Sequence, residues 1–302
     1  MKKIQNYLEY YLARTMVGMI GWLPYRWALG FGRGLGRFVY YCVPIRKRVV
    51  LDNLTRAFPE KGIKEIRQIA RATYRNFGQN IIEFILMPRL GAGGIRERVR
   101  FVPEDLLQKA RQQGRGVICL SAHFGNWETL AASIPSYGGP LVAIARDQRN
   151  PLVNEYIHTT RSSMGMELVT PGVAVRGVLR ALKENKFILL LADQDAHKEG
   201  IFADFLGRPS STAAGPAMFA LKTGAPLVFC ATVRNPRGFH TVYLETIEHA
   251  DLQGATAENL HELTQRHARA LERMVRAYPD HWFWMHKRWK TSPPLASRKE
   301  SP

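Results

Sequence analysis

One stretch decides the fold of this chain: Leu120-Ser121-Ala122-His123-Phe124-Gly125-Asn126-Trp127-Glu128. It continues the apolar run Gly116-Val117-Ile118-Cys119-Leu120, whose length and composition predict a buried strand. Gly125 supplies a flexible corner, and Asn126 is of a type that often caps the N-terminus of a helix. The stretch therefore predicts a strand, a tight turn and a helix in succession.

The spacing of His123 and Glu128 indicates chemistry at this turn. On one straight helix the two side chains would lie roughly 140° apart, because five residues turn about 500°. They converge only if His123 leaves the strand end and Glu128 begins the next helix. A carboxylate on the far ring nitrogen fixes the tautomer of a histidine and raises its basicity, which makes the imidazole a general base toward a hydroxyl. A structural histidine is the alternative that the spacing alone leaves open.

Continuous apolar runs alternate with amphipathic ones along the rest of the chain. The predicted strands are 116–121, 141–146, 187–192, 226–233 and 240–246. The predicted helices are 64–87, 103–113, 127–135, 150–164, 173–185, 212–223 and 256–277, with a loop at Pro88 and Gly91. This alternation predicts an α/β fold with a central, largely parallel sheet flanked by helices.

Three segments of different character divide the chain. Residues 1–45 are predicted to be an N-terminal helical, membrane-associated segment, residues 46–290 the α/β domain, and residues 291–302 a disordered tail rich in serine, proline and charge. The first segment is rich in tyrosine and tryptophan, which favour a membrane interface. Its longest charge-free run, 15–25, is too short to span a bilayer. It either forms a tilted or interfacial hairpin, in which Gly30, Gly32, Gly34 and Gly36 permit close helix contact, or packs on the core.

The charge of the chain indicates an anionic partner. Lys and Arg number 43 against 25 Asp and Glu, a formal net charge of +18. Phospholipid headgroups, a phosphorylated glycolipid, an acidic carrier protein and nucleic acid would all satisfy such a surplus. The cysteines Cys42, Cys119 and Cys230 lie in apolar runs and are expected to be reduced packing residues of a cytosol-facing domain. No Cys/His cluster has zinc spacing, so no metal is expected.

The string His123-Phe124-Gly125-Asn126-Trp127-Glu128 resembles the catalytic motif of the lipid A late acyltransferases, of the lysophospholipid acyltransferase superfamily, whose hallmark is His-x4-Asp/Glu. Further blocks resemble the family in order: Arg146 after a strand, Asp193 to Asp195 after the next, and then 205–209, 212–216 and the aromatic-basic segment 278–290. The family's second block often reads Tyr-Arg-Pro, whereas this chain has Ala145-Arg146-Asp147. The departure leaves the acceptor less defined than the reaction class.

The resemblance implies an O-acyltransferase of lipid A and lipopolysaccharide biosynthesis on the cytoplasmic face of the inner membrane. It implies transfer of a fatty acyl chain from acyl carrier protein, or coenzyme A, to a hydroxyl of a lipid A precursor, with the thioester as donor substrate and no resident cofactor. The expected partners are acyl carrier protein, an anionic glycolipid and the membrane, with no nucleic acid. His123 would be the general base, and Glu128 would hold and polarise it.

The remaining site predictions concern substrate binding. Arg146 could bind a phosphate or the developing oxyanion, because arginine offers a bidentate fork. Asn126, or the backbone amides around Gly125, could also serve the oxyanion. Asp193 and Asp195 could pair with Arg146 and shape the site, and Arg208 could bind phosphate. Neither Ser121 nor Cys119 lies in a nucleophile elbow, which disfavours a covalent acyl-enzyme.

Two alternatives to this function stay open from the sequence. The same fold could acylate another glycolipid or an aminolipid. From another class, a non-catalytic basic protein could bind membrane or nucleic acid. The tryptophans Trp282, Trp284 and Trp289, interleaved with basic residues, suit either a packed C-terminal element or the rim of an anionic site.

Overall fold

The computed structural model describes residues 2–43, 45–137, 139–145, 147–170 and 174–294. The helices are α1 (Lys2–Gly21), α2 (Tyr25–Cys42), α3 (Lys47–Ala57), α4 (Ile63–Arg98), α5 (Leu106–Arg111), α6 (Trp127–Ser133), α7 (Pro151–Ser163), α8 (Ala174–Lys183), α9 (Gly215–Thr223) and α10 (Ala257–Ala277). The strands are β1 (Val99–Val102), β2 (Val117–Ser121), β3 (Leu141–Ile144), β4 (Met166–Val169), β5 (Phe187–Leu191), β6 (Ile201–Phe205), β7 (Arg208–Thr212), β8 (Leu227–Arg234) and β9 (His240–Thr246).

Seven strands form one sheet in the order β1-β9-β8-β2-β5-β3-β4. The five from β8 to β4 run parallel, β9 is antiparallel to β8, and β1 is parallel to β9. The predicted largely parallel sheet and its five predicted strands are confirmed. The sequence analysis missed the short edge strands β1 and β4 and the separate antiparallel pair β6–β7.

The central strands are buried on both faces. In β2, Ile118 and Leu120 pack with residues of α8, α9 and α10 on one side. Val117 and Cys119 pack on the other side with residues of α4, α5 and α6. The fold is therefore three-layered, with helices on both faces of the sheet. Cys119 and Cys230 are buried and free as expected, but Cys42 is exposed, so the prediction that it is a packing residue was wrong.

Helix α4 is longer than predicted. Pro88 and the following glycines were expected to form a loop, yet helix continues to Arg98 across a kink at Gly91, whose φ is 60° and ψ is −179°. Glycine tolerates this left-handed φ, so the bend is confined to one residue. Met87 and Ile95, on either side of the kink, are both buried in one cluster. Their burial stabilises a second helical segment that local propensity alone would not predict.

Helices α1 and α2 form the predicted hairpin. A Cβ on Gly32 would lie 2.9 Å from the Gly78 carbonyl oxygen, and one on Gly36 only 2.1 Å from that of Tyr74, so α2 lies close to the α4 backbone. Gly34 has open space around its Cα, so half of the predicted glycine contact is absent. Through α2 the hairpin packs on the core, as the second of the two interpretations expects, and it leaves an apolar side of α1 exposed. None of the helices within the described ranges is long and apolar enough to cross a bilayer.

The C-terminal segment folds back onto the core. Trp282 and Trp284 are buried, in agreement with the packing interpretation. Thr291, the first residue of the predicted tail, donates hydrogen bonds to the Asp195 carboxylate from its backbone N–H and its hydroxyl. The rest of that predicted tail from residue 295 onward lies outside the described residues.

Candidate active site

His123 and Asp193 meet at one edge of the sheet because their strands are parallel neighbours. Ser121 of β2 lies opposite Leu191 of β5. His123 follows Ser121 by two positions, and Asp193 follows Leu191 by two positions. The carboxyl ends of adjacent parallel strands share an edge, where ligands of α/β proteins gather. The His123 Nδ1 and Asp193 Oδ1 atoms are 2.8 Å apart. This contact assigns the Nδ1 proton to the Asp193 side and leaves Nε2 as the free base.

Two residues of the C-terminal segment hold this pair by hydrogen bonds. The Trp282 indole N–H donates to Asp193 Oδ2 at 2.9 Å, so each oxygen of this buried carboxylate has a partner. The backbone N–H of Phe283 donates to the His123 carbonyl at 2.9 Å. The imidazole also lies against the Trp127 ring, with centroids 5.0 Å apart. The Asp193 carboxylate and the Trp127 ring thereby fix the orientation of the imidazole.

The electrostatics of the pair favour a basic imidazole. Burial disfavours the charged form of His123, but the Asp193 carboxylate, its hydrogen bond and the Glu128 charge outweigh burial and raise the pKa of His123. Burial likewise opposes the ionised form of Asp193, yet His123 and Trp282 hold the pKa of Asp193 below its ordinary value. A carboxylate that stays ionised beside a basic histidine is the arrangement that general-base catalysis requires.

Glu128 does not occupy the place predicted for it. It begins α6 as expected, but both of its oxygens are bound by Arg161 of α7, at 3.0 Å from Nε and 2.6 Å from Nη2. The carboxylate on the far ring nitrogen is that of Asp193 instead. The sequence spacing brings Glu128 to the right end of the sheet, but α7 supplies an arginine fork that competes for it. Glu128 therefore acts on His123 through its charge, across a distance, rather than through a hydrogen bond.

An apolar pocket of about 510 Å³ opens beside the pair. Its polar lining comes from His123, Glu128, Gln148, Arg161 and Gln194. The remainder is apolar and comes from the sheet edge and from α6 and α9, including Ala131, Met166, Leu168, Leu189 and Phe219. The Gln194 side-chain amide lies 3.4 Å from His123 Nε2, so the free base faces the pocket. An apolar cavity with a few convergent polar groups is the usual form of a small-molecule site.

The Asn126 side chain and the Gly125 amide, two of the predicted oxyanion donors, are bound elsewhere. Asn126 is fully buried, and its Oδ1 accepts from the backbone N–H groups of Glu128 and Thr129, which confirms the predicted helix cap. Its amide group donates to Glu83 at 2.5 Å. The Gly125 N–H donates to the His281 carbonyl. These groups shape the turn and do not face the pocket.

A buried ionic cluster supports this turn from α4. Glu83 binds Arg234 of β8 at 2.7 Å, His240 of β9 at 2.9 Å, and the Tyr25 hydroxyl of α2 at 2.9 Å. Burial opposes ionisation of Glu83, but Arg234 and His240 outweigh it and hold the pKa of Glu83 well below its ordinary value. Through Asn126 the cluster connects the hairpin to the turn that carries His123.

The other predicted site residues are distributed differently. Asp195 is buried and binds the backbone N–H of His197 and both donors of Thr291, so it organises the C-terminal segment. Arg208 is exposed at the start of β7 and does not line the pocket. Arg146 lies outside the described residues, and its predicted pairing with Asp193 and Asp195 lies there with it. The described ranges hold no cluster of His, Cys, Asp and Glu that could bind a metal.

The sequence analysis missed several residues of the site. Arg161 lies in the last turn of α7, 33 positions from Glu128, and no motif signals their pairing. Trp282 was assigned to packing or to a rim, not to Asp193. Asp193 itself was expected near the site, and its role on the imidazole could have been inferred had β2 and β5 been placed side by side.

The pH dependence of turnover should distinguish the two carboxylates. Because the pKa of His123 is raised above 6.5, the base is lost to protonation as pH falls through that raised value, so kcat/KM should rise with pH through a midpoint above 6.5. Asp193→Asn should lower kcat/KM and move the midpoint to lower pH. Burial would then lower the pKa of His123 without the opposing charge of Asp193. Glu128→Gln should move it less, because Glu128 does not touch the ring. A larger shift for Glu128→Gln than for Asp193→Asn would reverse these assignments.

Comparison with known proteins places this chain in a family. The profile of the family described as bacterial lipid A biosynthesis acyltransferase matches residues 2–291. The chain belongs to this family.

The names of curated relatives contain two kinds of lipid, lipid A and phosphatidylinositol mannoside. The Escherichia coli lipid A biosynthesis lauroyltransferase is 24% identical over 295 residues, covering 94% of this chain and 93% of its own. The palmitoleoyltransferase of the same organism is 24% identical over 278 residues, 90% and 87% of the two chains. A phosphatidylinositol mannoside acyltransferase of Mycolicibacterium smegmatis is 25% identical over 243 residues, 78% and 77%. The predicted resemblance is confirmed.

Proposed function

We propose that this protein transfers a fatty acyl chain from the thioester of acyl carrier protein to a hydroxyl of a lipid A precursor, with His123 as general base. The observation that carries the proposal is the His123–Asp193 pair at the mouth of an apolar pocket, in a chain of this family. Coenzyme A is the alternative thioester donor.

The reaction needs two proton transfers, one to His123 and one from it. His123 Nε2 takes the proton from the acceptor hydroxyl as its oxygen attacks the thioester carbonyl. The tetrahedral intermediate collapses, the carbon–sulfur bond breaks, and the imidazolium returns the proton to the thiolate. Asp193 stabilises the transient imidazolium and keeps Nδ1 protonated. No side chain is acylated, so Ser121, whose hydroxyl donates to the buried Cys230 carbonyl, has no covalent role.

The apolar pocket suits the acyl chain of the donor or acceptor. Its wall of leucine, methionine and phenylalanine excludes water from the thioester, and Gln194 offers an N–H at its polar end. Arg146 is proposed to bind a phosphate or the oxyanion. Arg146→Lys should then lose much of the activity and Arg146→Ala more, because lysine keeps the charge but not the planar fork.

A mannoside or another glycolipid remains the second candidate acceptor. The mannoside acyltransferase relative supports it, as does the sequence Ala145-Arg146-Asp147 at the block where the family often has Tyr-Arg-Pro. A purely binding role for this basic chain is the third, and it would leave the His123–Asp193 pair and the pocket without use.

The direct test supplies purified protein with labelled acyl carrier protein and, in separate reactions, a phosphorylated disaccharide lipid or a phosphatidylinositol mannoside. Transfer to the first acceptor in preference to the second supports the proposal. Preference for the mannoside moves the protein to the second candidate. Absence of transfer to either, with nucleic acid co-purifying, supports the binding role.

Membrane association through the hairpin is part of the proposal. Helix α1 exposes an apolar stripe at helical spacing, comprising Ile4, Leu8, Leu12, Met16 and Met19. Trp22 at the tip of the hairpin is 89% exposed. Such a stripe suits insertion into the interfacial region of a bilayer rather than water. The proposed location is the cytoplasmic face of the inner membrane.

Substituting Leu8, Leu12 and Met19 together by glutamine should move the protein toward the soluble fraction. These side chains are 62–70% exposed, so the fold should be retained. Transfer to an acceptor embedded in vesicles should fall, whereas transfer in detergent micelles should not. The control replaces Val175, which is exposed on α8 outside the hairpin. If the triple variant sediments with membranes as the wild type does, the anchor lies elsewhere.

A further inference from the structure

A basic groove lies between α2, α3 and α4, away from the pocket beside His123. Two adjoining cavities of about 610 and 640 Å³ share Tyr40, Tyr41 and Arg71 in their walls. Their cationic lining includes Arg33, Arg37, Lys47, Arg67, Arg71 and Arg75. No carboxylate lines either cavity within the part of the chain that the structure describes. This set of residues is called the basic groove.

The cations of the basic groove have no acidic partner among the described residues. The exposed Arg180 and Arg273, by contrast, pair with Glu184 and Glu245. None of the ion pairs among the described residues includes a cation of the basic groove. Arg71 instead donates to the Tyr41 hydroxyl at 3.2 Å. That hydrogen bond lowers the pKa of Tyr41 against a small opposing effect of burial, and the charges of Arg71, Arg37 and Lys47 add to the lowering.

Such a concentration of like charge is unfavourable unless an anion occupies it. Side chains that repel one another destabilise the compact state. Arginine side chains present flat forks that match two oxygens of a phosphate. The basic groove is therefore suited to a ligand that bears phosphate, and not to a neutral one.

The position of the basic groove on α2 indicates where the phosphate comes from. At 100° per residue, Trp27, Phe31 and Phe38 fall within about 40° of one another. They are 75%, 47% and 55% exposed and form an aromatic ridge. Arg33 and Arg37 lie roughly 80–120° to one side of Trp27, between this ridge and α4. A ridge buried at the level of the acyl chains would put the basic groove at the level of the headgroups.

We propose that the basic groove binds the phosphate-bearing headgroup of an anionic phospholipid in the bilayer that the aromatic ridge enters. The inference rests on the proposed membrane association of the hairpin, but not on the identity of the acyl acceptor. An acidic carrier protein would satisfy the charges yet leave the adjoining ridge in water, so the lipid is the occupant that accounts for both features.

The test compares two variants of equal net charge. The groove variant combines Arg33→Gln, Arg37→Gln, Arg71→Gln and Arg75→Gln. The control combines Arg176→Gln, Lys183→Gln, Lys222→Gln and Arg269→Gln, which are exposed on α8, α9 and α10 and line neither cavity of the basic groove. Binding is measured on phosphatidylcholine vesicles with and without phosphatidylglycerol.

The groove variant should lose about 10²–10³-fold in affinity for the phosphatidylglycerol vesicles, since each basic residue near an anionic surface contributes substantially. It should bind neutral vesicles as the wild type does, and the control should retain most of the anionic preference. Equal losses in both variants would mean that net charge alone decides, and would overturn the proposal.

Two further arms separate the other sources of anionic charge. Inorganic phosphate at matched ionic strength should not remove the anionic preference of the wild type. If it does, the basic groove binds free phosphate rather than a headgroup. If the groove variant loses affinity for acyl carrier protein while keeping its preference for anionic vesicles, the groove is a protein-docking site and the proposal fails. None of these measurements requires acyl transfer, so their outcome is independent of the acyl donor, the acceptor and the role of His123. Binding of the wild type to neutral vesicles tests the membrane association separately.

Discussion

Replacing His123 by alanine should lower turnover by roughly 10²–10⁴-fold, the usual contribution of a positioned general base. The physical reason is the loss of the imidazole whose Nε2 faces the apolar pocket while Nδ1 is held by Asp193. The acceptor hydroxyl would then have to lose its proton to water at neutral pH. Single-turnover transfer from labelled acyl carrier protein measures this step without product release.

The matched control for His123→Ala is His249→Ala. His249 is half-buried near the chain turn after β9 and contacts the Ile247 carbonyl, away from the pocket. Its removal should leave turnover within about twofold of the wild type, as substitutions away from a site usually do. Unchanged single-turnover transfer by His123→Ala, with the fold intact by circular dichroism, would remove His123 from the chemistry.

Removal of Glu83 should destabilise the protein by about 3–5 kcal/mol, because Glu83→Ala leaves Arg234 and His240 buried without their carboxylate. The Arg234 and His240 side chains are only 4% and 1% exposed, so neither can turn to water for compensation. The Asn126 amide would lose its acceptor as well. The loss should appear as a lower urea midpoint and a lower Tm.

Glu60→Ala provides the control for Glu83→Ala, since Glu60 is exposed and joins none of the described ion pairs. Its effect on the free energy of unfolding should stay within about 0.5 kcal/mol. Because the cluster reaches the turn of His123 through Asn126, a folded fraction of Glu83→Gln should also show reduced kcat. A Glu83→Ala variant as stable as Glu60→Ala would mean that the cluster is not a determinant of stability.

The fold was predictable wherever a pattern is local. The run 116–120 is apolar without interruption, and it is the buried central strand β2. The edge strands β1 and β4 have four residues each, and their sequences carry no continuous apolar run, so only their sheet neighbours define them. The helix beyond Pro88 depends on Met87 and Ile95 packing together, a tertiary contact that overrides the local proline and glycine signals.

The candidate site was predictable in its residues but not in its pairing. His123, Glu128 and Asp193 all follow strands or begin helices as the sequence indicates. Which carboxylate binds the imidazole depends on strand order, since β5 rather than β3 lies beside β2. It also depends on Arg161 of the distant helix α7, which forms an ion pair with Glu128. Neither fact is encoded in the local pattern around the His-x4-Glu motif.

The most direct measurement is mass spectrometry of the phosphorylated glycolipid fraction from cells that lack this gene and are supplied with the wild type or with His123→Ala. The account predicts that the wild type adds the mass of one ester-linked acyl chain to the precursor, and that His123→Ala adds none at equal protein level. An unchanged glycolipid with the wild type, or the same added chain with His123→Ala, would contradict it.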